Sequence, residues 1–426
     1  MATPIATDDP ALPRRMADFD TLAEALDYAA KGSRGFNFFS LRGELEASIT
    51  FSELRDRAMA HARRFIAAGL ERGDRVAIVA DTSPHFVSTF FGCQYAGLLP
   101  VPLPLPTSFG GRDGYVEQLH KQMLSCNATA AVAPDMMRDL LLQAGKGLDL
   151  KLICSDKELE GLTLAKTDPQ PSGKSDICYL QYSSGSTRFP HGVTVTQGAA
   201  MANCRSNALH GVSIQDGDRG MSWLPFYHDM GLVGFMLTLL CTQVTTDYLP
   251  TEYFARRPLM WMELMSRHGG TLAFSPSFGY ELCQRRTTED RVASLDLSQW
   301  RVAGIGADMI RADVMKAFAD TFAPAGFKPG TFMPSYGLAE ATLAVSFMPP
   351  GRGIETDIVD EDRLSGENRA VPVDPENFER SDSIRHVVNC GRPLPDCAVE
   401  IRNENGDDLP DREVGKVFVK GPSIMT

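Results

Sequence analysis

The feature that most limits what this chain can become is an apolar run from Ile177 to Tyr182. It has the length and composition of a buried strand, and it stops in Ser183, Ser184, Gly185 and Ser186, followed by Thr187. A strand feeding a loop of small residues lets backbone N–H groups approach an anion. The hydroxyls of Ser183, Ser184, Ser186 and Thr187 add further donors. The stretch reads either as a phosphate cradle or as a Ser/Gly-rich surface turn. The buried character of the strand, the absence of an acid in the loop and the neighbouring Arg188 favour the cradle. It is not the P-loop of nucleotide hydrolases: Gly185 and Gly192 are seven apart and no Lys follows, so a different nucleotide fold is implied.

Bulk properties bound the class. A chain of 426 residues, 43% hydrophobic and 23% charged, is long enough for more than one core and ordinary for a globular protein. The net charge of -12 argues against a nucleic-acid partner, which would need Lys/Arg patches, so any phosphate site is local. Nine cysteines are scattered without C-x-x-C spacing, as expected of reduced thiols rather than a zinc site. Residues 1–20 hold no apolar core of a secretory signal, and the apolar run 230–241 is too short to span a bilayer. A cytoplasmic protein with no membrane span is expected.

Periodicity places a helix over 52–68, capped by Ser52 and stopped by Gly69, then a strand at 75–80 and a helix from Pro84. The proline-rich segment 100–106 reads as an extended connection, continued as a loop by Gly110 and Gly111. Short strands at 129–133 and 150–154 complete a parallel α/β pattern. Residues 168–175 read as a linker. A second α/β round begins at Ile177, with a helix over 198–210 and strands at 221–225, 271–275 and 301–308. Residues 348–386 show no periodicity and read as a long surface loop; 398–402 and 415–420 read as short strands around an Asn405-Gly406 turn. The expected organisation is 1–172, 173–347 and 348–426: two α/β subdomains with mostly parallel sheets, then a β-rich part.

Within this frame, His228 and Asp229 follow a strand, where ligands bind in such sheets. They are compatible with a solvated turn or with a pair that orients a carboxylate. Phe235, Met236 and Leu237 fit a tunnel lining or plain helix core, with core the better reading. Taken alone, Tyr336 and Glu340 read as a ring and an acid at the start of an ordinary helix.

Three segments, taken together, resemble the adenylate-forming superfamily of acyl-CoA synthetases, luciferases and peptide-synthetase adenylation domains. Ser183-Ser-Gly-Ser-Thr-Arg-Phe-Pro-His-Gly-Val193 is similar to its S-S-G-S-T-x-x-P-K-G-V loop, with His191 where Lys is usual. Pro225-Phe-Tyr-His-Asp-Met-Gly-Leu232 resembles its P-F-x-H motif in the spelling of the fatty acyl-AMP ligase branch. Pro334-Ser-Tyr-Gly-Leu-Ala-Glu-Ala-Thr342 resembles Y-G-x-x-E, with Ala339 where many relatives carry Thr and Thr342 as a substitute. Val388-Asn-Cys-Gly-Arg-Pro393 is similar to a V-x-C-G-x-P segment that follows an insertion in that branch.

The resemblance implies the large domain of such an enzyme, with two stacked α/β subdomains and a small β-rich one. It implies that ATP is held by Ser183, Ser184, Gly185, Ser186 and Thr187 at the phosphates and by Gly306, Ala307, Asp308, Tyr336 and Gly337 around adenine. Glu340 would hold Mg²⁺, with His228 and Thr187 completing the catalytic set. His228, Asp229, Met230, Gly231, Ser277 and Phe278 would flank the acyl chain. The implied reaction converts a fatty acid and ATP to acyl-adenylate and pyrophosphate, with transfer to an acyl carrier protein. Rivals are an acyl-CoA synthetase, an amino-acid adenylation domain and a non-catalytic acyl-nucleotide-binding module. The family's ribose-binding Asp and C-terminal catalytic Lys fall beyond Thr426, so weak adenylation is expected of residues 1–426 alone. All of this requires Thr187 and Glu340 to share one crevice.

Overall fold

The computed structural model of the chain describes residues 4–5, 12–106, 111–183, 191–374, 376 and 383–425. Strands β1 (Gly35–Phe39) and β2 (Leu45–Thr50) form an antiparallel pair, and the helix Phe51–Ala67 leaves directly from β2. Its cap is Thr50, not Ser52. Thr50 Oγ1 accepts from the Glu53 N–H at 3.1 Å while Glu53 Oε2 accepts from the Thr50 N–H at 2.9 Å. That reciprocal box needs an acid three residues after the cap, which only Thr50 has. Gly69, at φ +82°, supplies the left-handed stop.

Four parallel strands follow: β3 (Arg75–Val79), β4 (Leu99–Leu103), β5 (Ala130–Ala133) and β6 (Leu152–Ser155), in spatial order β4-β3-β5-β6. The proline-rich segment is therefore a strand and not a plain connection. β4 sits at an edge, and strand alternation turns the nitrogens of Pro100 and Pro102 away from β3. Leu99 N–H meanwhile donates to Asp74 O at 2.9 Å. Gly111, expected in a loop, opens the helix Gly111–Ser125 at φ +63°.

The chain then makes an antiparallel pair, β7 (Ile177–Tyr182) with β8 (Gly192–Thr196), so the small-residue loop lies in a hairpin. After the helix Gln197–Ser206 come β9 (Gly220–Ser222), β10 (Thr246–Tyr248), β11 (Leu272–Ser275), β12 (Val302–Ile305), β13 (Phe332–Gly337) and β14 (Ala344–Phe347). Further on, β15 (Thr356–Asp360) pairs with β16 (Ile384–Val388), β17 is Arg392–Pro393, and β18 (Ala398–Arg402) pairs with β19 (Lys416–Lys420).

The large sheet runs β17-β14-β13-β12-β11-β9-β10-β1-β2, parallel from β13 through β1 and antiparallel at both ends. The two stacked α/β units with mostly parallel sheets and a small antiparallel β part are thus present. β1 and β2, although early in the chain, belong to the nine-stranded sheet and not to the β3–β6 sheet. Residues 348–386 are not structureless: they contain β15 and the helix Glu361–Glu367, which Asp360 caps by accepting from Asp362 and Arg363 N–H groups. The strand signal was masked because the β15–β16 pair is largely solvated, leaving little apolar alternation.

Two features anchor what surrounds the site. Arg219 and Asp247 form a buried two-pronged ion pair at 2.7 Å on each prong, with Asn37 Nδ2 donating to Asp247 at 2.7 Å, which ties β10 to β1 and to the start of β9. The fully buried Phe226 stacks on Phe86 of the helix Pro84–Ala96 (centroids 5.3 Å) and meets Tyr248 edge-on at 5.0 Å. This fixes the loop after β9 from both sides.

Candidate functional site

β7 ends at Ser183, whose N–H donates to His191 O at 3.0 Å and closes the neck of the hairpin. Ser183 opens onto a cavity of about 260 Å³. Ser184, Gly185, Ser186 and Thr187 lie outside the described residues. Thr187, expected to share a crevice with Glu340, is among those outside; Ser183, where the loop begins, lines the same cavity as Glu340.

The loop after β9 brings His228, Asp229 and Met230 to the cavity wall. It is a tight turn: His228 N–H donates to Pro225 O at 3.2 Å, and a Cβ on Gly231 would sit 2.2 Å from that same carbonyl oxygen. Gly231 thus serves the turn and is not among the described lining residues. His228 Nδ1 lies 2.6 Å from Asp229 Oδ1, and Asp229 also accepts from Met230 N–H at 2.7 Å. Burial pulls the imidazole pKa down, but the Asp229 hydrogen bond and charge override it and hold the ring above its ordinary value. With Nδ1–H engaged by Asp229, Nε2 is left to meet a ligand.

Another stretch of the wall comes from the carboxyl end of β12 and the β13–β14 turn. Gly306 leaves the wall without a side chain there, where a Cβ would come within 2.9 Å of Ser335 Oγ, and Ala307 adopts φ +69°. Tyr336 is 39% exposed, which leaves its ring open to a ligand. Burial first, and then the Glu340 charge, raises its phenol pKa. Glu340 sits in a short 3₁₀ turn, Ala339–Ala341, not in an ordinary helix. That turn is clamped by the Leu338 N–H to Leu343 O bond of 2.8 Å. Gly337 permits it, because a Cβ there would lie 2.1 Å from Leu343 O. Thr342 is no phosphate donor: fully buried at φ +70°, it donates to Ser423 O at 2.7 Å.

The remainder of the cavity is mostly apolar, walled by Val212, Leu239, Leu272, Phe274, Leu343 and Phe347, with Asn207 and Thr238 among them. Phe235 is both core and lining, at 3% exposure. Besides Gly231, three expected positions are not among the described lining residues. Ser277 Oγ accepts from Arg311 N–H at 3.2 Å, Phe278 is 47% exposed with its ring edge-on to Trp223, and Asp308 accepts from its neighbour Met309. Sequence reasoning missed Gln181, Asn207, Phe274 and Phe347. Position 181 could have been found from its polarity inside an apolar strand; the phenylalanines carry no mark that separates a cavity wall from core.

The residues present fit a magnesium nucleotide. Tyr336 offers a ring, Gly306 a surface without a side chain, and Glu340 the single carboxylate that suffices when substrate phosphates supply the other ligands. Gln181, 2% exposed, leaves Oε1 without a hydrogen-bond partner on the cavity wall, a group that calls for a donor from a ligand or water.

The AMP-binding enzyme family model matches residues 29–426. The chain belongs to that family. Among the acyl-adenylate ligases and their kin, a Caulobacter vibrioides (strain NA1000 / CB15N) protein provisionally named an acyl-CoA synthetase is 47% identical over the whole chain, which covers 73% of it. The long-chain-fatty-acid–AMP ligase FadD32 of Mycolicibacterium smegmatis is 31% identical over 92% of the chain, which spans 62% of that enzyme. A structure from studies of fatty acyl-adenylate ligases of E. coli and L. pneumophila superposes with a TM-score of 0.93 at 46% identity, over 97% of this chain and 74% of that one. A fatty acyl-adenylate ligase from L. pneumophila, in complex with acyl adenylate and pyrophosphate, superposes with a TM-score of 0.85 at 26% identity, over 98% of this chain and 71% of that one. This acyl-adenylate ligase fold uses ATP and Mg²⁺ in general, and it is an enzyme fold. Among the described residues no helix is long and apolar enough to cross a membrane.

Proposed function

We propose that the chain is the large domain of a fatty acyl-AMP ligase acting in the cytoplasm, divided near 172 and 347 except that β1 and β2 join the later, nine-stranded sheet. The observation that carries this is one cavity lined by two kinds of residue: Ser183, Tyr336 and Glu340, which suit a nucleotide, and Phe235, Phe274 and Phe347, which suit an alkyl chain. A flat polar nucleotide and an alkyl chain are what such a mixed lining suits.

In this reading Tyr336 stacks on adenine against Gly306 and Ala307, and the hairpin loop beginning at Ser183 grips the phosphates with Thr187. Glu340 would hold Mg²⁺, which when bound offsets phosphate charge. His228, oriented by Asp229, holds the fatty carboxylate through Nε2. A carboxylate oxygen then forms a bond to the α-phosphorus, and the bond from that phosphorus to the bridging oxygen breaks, releasing pyrophosphate. Catalysis is positioning and charge neutralisation. The acyl group passes next to the thiol of an acyl carrier protein, as the name of the medium-chain-fatty-acid–[acyl-carrier-protein] ligase JamA of Moorena producens, 31% identical, supports.

The second reading, an acyl-CoA synthetase, is favoured by the name of the Caulobacter relative. Both share the first half-reaction. The test offers the protein at its full natural length ATP, Mg²⁺ and a fatty acid with either CoA or a phosphopantetheine-bearing carrier protein. Acylation of the carrier and not of CoA supports the ligase; the reverse selects the synthetase.

A further inference from the structure

Among the apolar lining of the cavity stand two groups that do not suit an unbroken alkyl chain, Thr238 and Asn207; Thr238, 2% exposed, leaves its hydroxyl Oγ1 without a hydrogen-bond partner. Asn207 is 4% exposed, lines the cavity, and leaves Oδ1 without a hydrogen-bond partner.

Its neighbour fixes which way the amide faces. Asn203 Nδ2 donates to the carbonyl oxygens of Ala341 (3.2 Å) and Ala344 (3.0 Å), and Asn203 Oδ1 accepts from Ala344 N–H at 3.3 Å. Asn203 can therefore offer Asn207 only an acceptor, and Asn207 Nδ2 donates to it at 3.0 Å. A flipped Asn207 would set two oxygens against each other. The atom left over is an oxygen, a hydrogen-bond acceptor with no donor.

The local backbone is unusual at the same place. The helix Gln197–Ser206 widens into a π-helical turn over Asn207–Gly211, with Val212 N–H donating to Asn207 O at 2.9 Å. The facing segment Met230–Leu237, which supplies Gly234 and Phe235 to the cavity, is π-helical as well. Such turns are uncommon and gather at functional sites, where they re-aim side chains.

Resting on the fatty-acid reading above, we propose that Asn207 is a specificity residue and that the preferred substrate is a fatty acid carrying a hydroxyl group along its chain. The hydroxyl donates to Asn207 Oδ1, while the surrounding methylenes pack on Val212, Phe274 and Phe347. A plain alkyl chain leaves the buried acceptor unpaired, and that loss discriminates.

The test is calorimetric titration of the chain with hydrolysis-resistant acyl-sulfamoyl-adenosines of one chain length. The set carries no substituent, a hydroxyl at successive carbons, or a methoxy group at the same carbons. One hydroxylated member should bind about tenfold tighter than the plain chain, equal to about 1.4 kcal/mol, and methylation should abolish that gain. In Asn207→Leu the preference should vanish while the plain chain binds as well as or better than in wild type, which also shows that the variant folds. If the plain chain binds and no hydroxylated member exceeds it, the acceptor is satisfied by water and the specificity proposal is wrong, with the ligase reading intact. If no member binds, both readings fall.

Discussion

Asp229 Oδ1 stands 2.6 Å from His228 Nδ1 at the wall of the cavity, between adjacent residues of one tight turn. The imidazole is buried, which disfavours its charge, yet the Asp229 bond and charge raise its pKa above the ordinary value. By linkage, the charged pair contributes stability fully below the unfolded histidine pKa and loses it as pH rises through the raised folded value. Asp229→Asn leaves burial as the main influence, so the ring should titrate at lower pH. Imidazole proton shifts in NMR, assigned with His228→Gln, measure this directly; a titration unmoved or moved upward contradicts it. The KM for fatty acid should start to climb at lower pH in the same variant.

Tyr336 exposes its ring beside Gly306, and base–ring stacking is worth about 1–3 kcal/mol per base. Tyr336→Ala should weaken ATP binding roughly tenfold, and Tyr336→Phe by less than about threefold. Equal losses in the two variants would mean that the hydroxyl, not the ring, carries the contact.

Glu340→Gln keeps shape and removes charge. Among the described residues the Glu340 carboxylate makes no hydrogen bond or ion pair, while its backbone oxygen accepts from Met425 N–H at 2.8 Å, so the turn should persist. We expect unchanged melting and a loss of pyrophosphate release of about 10²–10³-fold, the scale of removing one charge-stabilising group. Raised Mg²⁺ should restore part of it. A variant that adenylates at wild-type rate would remove Glu340 from the metal site.

Asp247→Ala takes from the buried Arg219 guanidinium the carboxylate on which both prongs of the pair end, while its bond to Ile5 O remains. Breaking one partner of a buried pair costs about 3–5 kcal/mol. Chemical denaturation should show that loss with an unchanged slope; a loss below about 1 kcal/mol would show that water reaches the arginine.

Much of the architecture was legible because its signals are local. Gly69, the strands near 75, 130 and 152, and the 398–402 and 415–420 pair were marked by residues whose backbone preferences act on their own neighbours. What failed depended on distant partners. Pro100 and Pro102 make an acceptable strand only because that strand has an open edge, which is a property of the sheet. β1 and β2 join a sheet whose other strands lie some two hundred residues later, and no local pattern states that pairing. Tyr336, Glu340 and His228 could be singled out from their motifs, and all three line one cavity. Ser277 and Phe278 could not be told apart from lining residues, because a turn of helix decides whether a side chain faces a pocket or a neighbouring strand. Asn207 was read as one more helix position; its orphaned oxygen exists only after Asn203 has been committed to β14.

The central claim is that nucleotide and acyl chain occupy a single continuous cavity. It is tested most directly by titrating one acyl-sulfamoyl-adenosine into wild type, Tyr336→Ala and Gly234→Leu, the last filling the apolar side where a Cβ already meets Leu343 at 3.4 Å. One molecule should bind per chain, displaced by ATP and by fatty acid alike, and each substitution should weaken it about tenfold, about 1.4 kcal/mol, while Gly234→Leu leaves ATP binding unchanged. If ATP and fatty acid fail to compete for the analogue, or if only one of the two substitutions affects it, the two ligands do not share a cavity and the account is wrong.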